Sequence, residues 1–240
     1  MYLKQLILPI MVMALFNACG KDSTESGGSL SNGLVAHYKF DGNAEDSSGN
    51  GNHGTEYNGV SYVDGVIGKA GHLDNSYITI SDSEKITFKN EFSITAFIKP
   101  TATDGKWITL LTKGNTSSLD TAYEIVYECA SMCLPYIRFT DAENKKVFLT
   151  FNGKNALNLN KYNFISWVFK QGQLQIFLDG VLLYDKNIGI TNLKQDTTQL
   201  LEIGRDVPGA IEFFKGDIDD LRFYNRALSK SEIKELYELK

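Results

Sequence analysis

From about residue 34 onward the chain alternates apolar and polar positions with period two, the signature of half-buried strands. Phe92, Ile94, Ala96 and Ile98 fall on one face, with Ser93, Thr95 and Lys99 on the other. Tyr123, Ile125 and Tyr127 alternate with Glu124 and Glu128, and Val147, Leu149 and Phe151 repeat the pattern. Leu174, Ile176 and Leu178 alternate with Gln173, Gln175 and Asp179. Asp179-Gly180 then separates two such runs, a strong two-residue hairpin signal. Residues 164–169 and 200–203 are near-continuous apolar runs, as central strands require when both faces are covered. One helix is legible at the C-terminus. Ser229 and Glu232 form a capping box, followed by Ile233, Leu236 and Tyr237 at helical spacing. The pattern predicts an all-β fold: an antiparallel two-sheet sandwich or jelly roll with a short C-terminal helix.

The beginning of the chain breaks the pattern. After Lys4, residues 6–16 are apolar, too short a stretch for a membrane span of ~20 residues and suited to a signal-peptide core. Phe16-Asn17-Ala18-Cys19 follows and resembles a bacterial lipobox, which makes Cys19 the expected lipidated residue and 1–18 the removed leader. The competing reading is an ordinary signal peptide with an incidental cysteine. Residues 19–32 are rich in Ser and Gly and read as a flexible tether. Residues 33–240 show no internal repeat and no second composition regime, so they are expected to form one domain.

Composition narrows the function. Of 240 residues, 24 are Lys or Arg and 29 Asp or Glu, for a net charge of −5, which argues against nucleic acid as the partner. Hydrophobic residues at 42% can build a sizeable core.

Four stretches carry a family resemblance. GLVAHYKFDGNAEDSSGN (33–50) resembles the opening of laminin-G-like jelly rolls of the concanavalin A-like lectin/glucanase superfamily. FSITAFIKP (92–100) is similar to one of their strands, with Phe97 where Trp is usual. FISWVFKQGQLQIFLDG (164–180) resembles their paired strands ending in an Asp-Gly turn, and Ile203-Gly204 with GDIDDLRFYNRALS (216–229) resembles their C-terminal signature. The resemblance spans residues 33–237. It implies a fold more than a function, since such folds host glycan binders, glycosidases and adhesion modules alike.

Candidate chemistry falls into four groups. Asp41, Asn43, Glu45 and Asp46 lie in a Gly/Asn-rich loop whose oxygens suit Ca²⁺. By analogy with similar jelly rolls, a structural calcium would use Asp41, Asn43, a carbonyl near Gly54, and Asp219, and the alternative is that these are turn residues. Asp217 and Asp220 are expected to be solvated. Glycoside hydrolysis needs two positioned carboxylates. Glu124 and Glu128 are the nearest strand-borne pair, without the intervening Asp of the superfamily's glucanases, and are expected on a solvated face. Cys129 and Cys133 are expected to form a disulfide across a hairpin tip. Sugars stack on aromatic faces while Asp and Arg bond their hydroxyls, which makes Trp107, Tyr123, Tyr136, Arg138, Arg205, Asp206 and Phe213-Phe214 candidate ligand residues, each with core packing as the alternative. Trp167 belongs to the core, His37 and His72 are packed or surface histidines, and His53 could order its loop.

The reading that follows is a lipoprotein of the bacterial cell envelope, anchored through Cys19 and presenting a non-catalytic jelly roll. It would bind glycan or another extracellular ligand. The alternatives are a protein-adhesion or envelope-assembly module, and a glycoside hydrolase or lyase.

Overall fold

The computed structural model describes residues 29–101, 107–115, 120–151, 153, 156–195, 199–207 and 212–240. Residues 1–28, on which the expected leader, the expected lipidation site Cys19 and most of the expected tether fall, lie outside the described residues. Fifteen strands follow one another: β1 (Leu34–Tyr38), β2 (Gly54–Tyr57), β3 (Ser61–Asp64), β4 (Lys69–Asp74), β5 (Tyr77–Ile80), β6 (Glu91–Pro100), β7 (Trp107–Asn115), β8 (Asp120–Cys129), β9 (Cys133–Thr140), β10 (Lys146–Thr150), β11 (Asn163–Lys170), β12 (Gln173–Leu178), β13 (Val181–Asn187), β14 (Leu201–Ile203) and β15 (Lys215–Tyr224). One α-helix among the described residues, α1 (Lys230–Tyr237), follows β15, and a single 3-10 turn spans Glu84–Ile86.

The strands form two antiparallel sheets. The first has the order β13-β12-β11-β6-β15-β4-β3, with β1 added to β15, and the second runs β10-β9-β8-β7-β14-β5-β2. Their inner faces meet in the main core, where Phe92, Ile94, Trp167 and Phe169 of the first sheet share a cluster with Tyr123, Ile125, Tyr127 and Phe139 of the second. The run 164–169 has no polar face because both faces are covered. Trp167 and Phe169 point inward, whereas Phe97, Phe164 and Val168 form a second apolar cluster with Ile233 and Leu236 of α1. The helix starts where the sequence places it. Ser229 accepts the Glu232 amide, and the Glu232 carboxylate accepts the Ser229 amide. At the β12–β13 turn both Asp179 and Gly180 take positive φ (52° and 77°), the geometry that a two-residue hairpin loop favours.

The two most legible stretches of sequence meet in space. β1 pairs with β15, placing His37 beside Arg222 and Tyr38 beside Leu221. Asp46 organises the opening loop. Its Oδ1 accepts the amides of His37 (2.9 Å) and Ser48 (2.8 Å), and its Oδ2 accepts the Asn52 amide (3.0 Å). These bonds hold its carboxyl below the usual range despite its burial. His53 Nδ1 accepts the Asp46 amide, so this histidine helps order the loop.

A bulge in β15 separates Asp219 from Arg222, with Asp220 at φ 49°. Contrary to the expectation of solvated carboxylates, Asp217 and Asp220 are both buried. Asp217 sits 2.6 Å from His72 Nδ1 and 2.9 Å from Lys99 Nζ. Asp220 sits 2.6 Å from His37 Nε2 and accepts two bonds from Arg222. A carboxylate buried with partners on both oxygens is a structural element, because removing either partner would leave a desolvated charge.

Candidate functional site

The outward face of the second sheet carries one transverse row of side chains. Strand register sets Thr79 opposite Glu202, Glu202 opposite Thr112, Thr112 opposite Glu124, Glu124 opposite Arg138, and Arg138 opposite Phe148. Thr79, Glu202, Thr112 and Glu124 are buried although they face away from the core. Described residues on either side of the β14–β15 connection, Arg205 and Glu212, lie against this face. The Glu212 carbonyl accepts the Thr109 amide at 2.9 Å, and Arg205 bonds Glu202 through Nε at 2.6 Å and Nη2 at 2.9 Å.

Beyond this cover the face opens into a cleft of about 360 Å³ over β8, β9 and β10. Arg138, Tyr136 and Phe148 rise from its floor, Trp107 stands at the β7 edge, and Asp206 and Glu212 enter from the connection. Trp107 is 39% exposed and Phe148 58% exposed, so both present aromatic surface at the cleft. Trp107 packs on Tyr136 with ring centroids 4.3 Å apart, and the Tyr136 hydroxyl donates to Glu128 Oε2 at 2.9 Å.

The polar groups are tightly arranged. Arg138 Nη1 lies 3.0 Å from Glu124 Oε2, and the guanidinium stacks over Phe148 at 5.1 Å. Arg138 Nε is buried with no hydrogen-bond partner. Glu124 is 4% exposed, so the solvated-face expectation is wrong for it; it lies among Arg138, Asp206 and Glu212. Burial pushes its carboxyl up to about 7; Arg138 opposes the shift, while the charges of Glu212 and Asp206 reinforce it. Glu212 is raised as well, by burial and by Asp206, whose Oδ1 accepts the Glu212 amide at 3.1 Å.

Of the eight candidate ligand residues, the structure brings four together here: Trp107, Tyr136, Arg138 and Asp206. Tyr123 does not join them. At 2% exposure it packs in the core with Phe88 and Phe92, because β8 turns its odd-numbered residues inward. Arg205 is also elsewhere, bound to Glu202 and stacked 3.5 Å over Tyr77, which in turn stacks on Tyr57. Phe214 is core, and Phe213 lies beside Tyr77. Sequence reasoning missed Phe148 and Glu212 and dismissed Glu124. The alternation of β8 sets Glu124 on the face opposite Tyr123 without showing which face is covered, and nothing local to Glu212 marks it as a neighbour of β8.

The residues expected at a calcium site form a separate corner. Asp219 Oδ2 accepts the amides of Val66 (2.7 Å) and Ile67 (2.9 Å), and Asp41 Oδ1 accepts the Lys69 amide (2.8 Å), so both carboxylates clasp the β3–β4 turn. A Cβ at Gly65 or Gly68 would run into these carboxylates, which accounts for two glycines there. Asn43 Oδ1 accepts the Glu45 amide, and Gly54 donates to the Ala44 carbonyl. Among the described residues no group of three or more His, Cys, Asp or Glu side chains gathers as a metal site. One feature fits a cation: Asp219 Oδ1 is buried without a partner, and burial raises this carboxyl to about 6. Cys129 and Cys133 face each other where β8 meets β9 and are disulfide-bonded.

Comparison with known proteins matches the fold. The family model described as the concanavalin A-like lectin/glucanases superfamily, a laminin-G type, matches residues 71–234, and the chain belongs to this superfamily. A comparison with curated proteins gives no match. Among solved structures, domain 4 of AbnA, an extracellular arabinanase from Geobacillus stearothermophilus solved with arabinotriose, is similar at 21% identity and a TM-score of 0.66. The alignment covers 85% of this chain and 98% of that one. The binding domain of Paraclostridial Mosquitocidal Protein 1 is similar at 19% identity and TM-score 0.69, over 85% of this chain and 52% of that one. The botulinum neurotoxin serotype D ligand-binding domain, solved with N-acetylneuraminic acid, gives 15% and 0.64, over 87% and 51%. The chain thus spans about half the length of the two toxin domains and nearly all of the arabinanase domain.

Proposed function

We propose that the protein is a non-catalytic glycan-binding module that takes a short oligosaccharide into the cleft over β8–β10. The observation that carries this reading is the exposure of Trp107 and Phe148 around a polar floor of Arg138, Glu124 and Asp206. Sugar rings present apolar faces for stacking and hydroxyls for hydrogen bonds, and this lining offers both. The cleft volume lies at the lower end of the ~300–1,000 Å³ range of small-ligand sites, which suits a few sugar units better than a long chain. The arabinanase domain and the toxin binding domains support a binding role through a shared fold. In this proposal Cys19 carries a lipid that holds the domain at the bacterial envelope through the 19–32 tether. A structural calcium sits at the Asp41–Asp219 corner, where Asp219 Oδ1 has no other partner. Bound there, the ion would supply positive charge to a buried carboxylate.

A second reading, glycoside hydrolysis, is favoured by one observation. Glu124 is raised to about 7 beside Asp206 and Glu212, an environment that a general acid would need. One experiment separates the two. The full chain is titrated calorimetrically with arabinotriose and a panel of oligosaccharides, and the same mixtures are assayed for new reducing ends. Saturable binding without sugar release is expected; release that Glu124→Gln abolishes would replace the binding reading with hydrolysis.

A further inference from the structure

Glu124 and Arg138 face each other across β8 and β9 on the floor of the cleft, and the pair is lopsided. A guanidinium presents several N–H donors in one plane. Glu124 Oε2 takes one of them, at Nη1 and 3.0 Å, and Nε is buried with no hydrogen-bond partner. The Arg138 side chain is 25% exposed, lines the cleft and rests on Phe148. The carboxylate side of the pair is crowded instead. Glu124 is buried, and Glu212 and Asp206 approach it from the β14–β15 connection. On its β7 side it meets the neutral Thr112. Further along the face Arg205 is bound to Glu202, and Glu128 accepts the Tyr136 hydroxyl. Among the described residues lining the cleft, Arg138 is the one cation facing Glu124.

We propose, on the premise that the glycan-binding reading holds, that the cleft takes an acidic sugar: the sugar's carboxylate pairs with Arg138 while Glu124 takes up a proton from solvent, so that acidic glycans bind more tightly as pH falls. Arginine suits such a ligand because its planar fork matches a carboxylate. Two ionised carboxylates on one guanidinium repel each other, and protonating the more buried one relieves this. Glu124 is disposed to accept that proton. Burial, against the pull of Arg138, brings its carboxyl to about 7 before any ligand arrives, and the charges of Glu212 and Asp206 add to the rise. Glu212, raised by burial and by Asp206, acts in the same direction. An exposed sugar acid stays ionised at these pH values, as an ordinary carboxyl does. The exchange keeps one ion pair on Arg138 and leaves Glu124 neutral, so no buried charge is stranded. A protonated Glu124 also gains a donor that a sugar oxygen can accept. A neutral sugar brings no charge to exchange; it stacks on Trp107 and Phe148 and takes up no proton.

The test titrates the full chain calorimetrically at about 0.15 M salt, where charges beyond roughly 8 Å are screened and contacts within the cleft dominate. The probes are a xylo-oligosaccharide bearing one uronate, the same oligosaccharide without it, arabinotriose and a panel of further neutral oligosaccharides. Proton uptake is read from how the binding heat varies with the ionisation heat of the buffer. At pH 7.5 the uronate is expected to bring in more than about half a proton, and at pH 5.5, where Glu124 is already protonated, close to none. Its affinity should be roughly tenfold higher at pH 6 than at pH 8, since above about pH 7 the free chain lacks the proton that the complex holds. Neutral sugars should bind more weakly and without uptake at either pH. In Glu124→Gln the uptake should vanish and the uronate affinity stay at its low-pH level throughout. In Arg138→Met, once melting curves show it folded, the uronate and its neutral match should bind alike. Equal affinity of the natural chain for the matched pair would overturn the acidic-sugar assignment and leave the glycan reading standing. Preference for the uronate without proton uptake, or with uptake unchanged in Glu124→Gln, would overturn the exchange at Arg138. Absence of binding by every sugar would overturn the glycan reading of this cleft and the proton-coupled site with it.

Discussion

Glu124 is the residue in which the fold and the site compete. It sits on the outward face of β8, where water would ordinarily keep a carboxylate ionised, but here it is 4% exposed. Its carboxyl rises from 4.5 to about 7 as a result. Between those two pH values the folded protein holds this proton more tightly than the unfolded chain does, so stability falls as pH rises through the window. The shift corresponds to about 3 kcal/mol as an upper figure, at about 1.4 kcal/mol per pKa unit. Glu124→Gln keeps an acceptor beside Arg138 and removes the titration. Denaturant unfolding of this variant from pH 4.5 to 7.5 is expected to show a shallower decline than the natural chain, leaving the contribution of Asp219, which is raised to about 6 for the same reason. An unchanged slope would mean that Glu124 is solvated after all.

At the scale of elements, local sequence signals held wherever one strand or turn settled the question. The Ser229/Glu232 capping box starts α1, and the helix covers the outer face of the first sheet. Ser229→Ala is expected to cost about 1 kcal/mol, read as a lowered unfolding midpoint with an unchanged denaturant slope. Asp179-Gly180 turned the chain as expected because both residues tolerate positive φ. The site was only partly legible, and the reasons are specific. Alternation shows that Tyr123 and Glu124 lie on opposite faces, but not which face is covered, so Tyr123 was expected at the site and lies in the core. Arg205 and Asp206 are adjacent in sequence and diverge in space, Arg205 toward Glu202 and Tyr77, Asp206 into the cleft. Glu212 meets Glu124 only through the tertiary fold, which no period in the sequence encodes.

Over the whole molecule, the two ends of the domain are fastened to each other. The β1–β15 pairing, the Asp46 loop and the Asp219 clasp on the β3–β4 turn all lie near one seam. A calcium at that seam would bind the folded state alone and stabilise it by mass action. Thermal unfolding is therefore expected to shift upward with millimolar CaCl₂ and downward with EGTA, and Asp219→Asn should erase the difference. Identical midpoints in calcium and chelator would remove the ion from the account and leave Asp219 as a pure backbone clasp. The cleft lies on the other sheet, so loss of calcium should lower stability more than it changes the ligand contacts.

The central claim is that the cleft over β8–β10 holds a glycan against Trp107. Its most direct test is calorimetric titration of the full chain and of Trp107→Ala with arabinotriose and the neutral oligosaccharide panel, after matched melting curves show both chains folded. Saturable binding by the natural chain, lost or weakened at least about tenfold in Trp107→Ala, is the expected result; a lost stacking contact of about 1.4 kcal/mol corresponds to that factor. Equal binding by the two chains, or none by the natural chain, would contradict the claim.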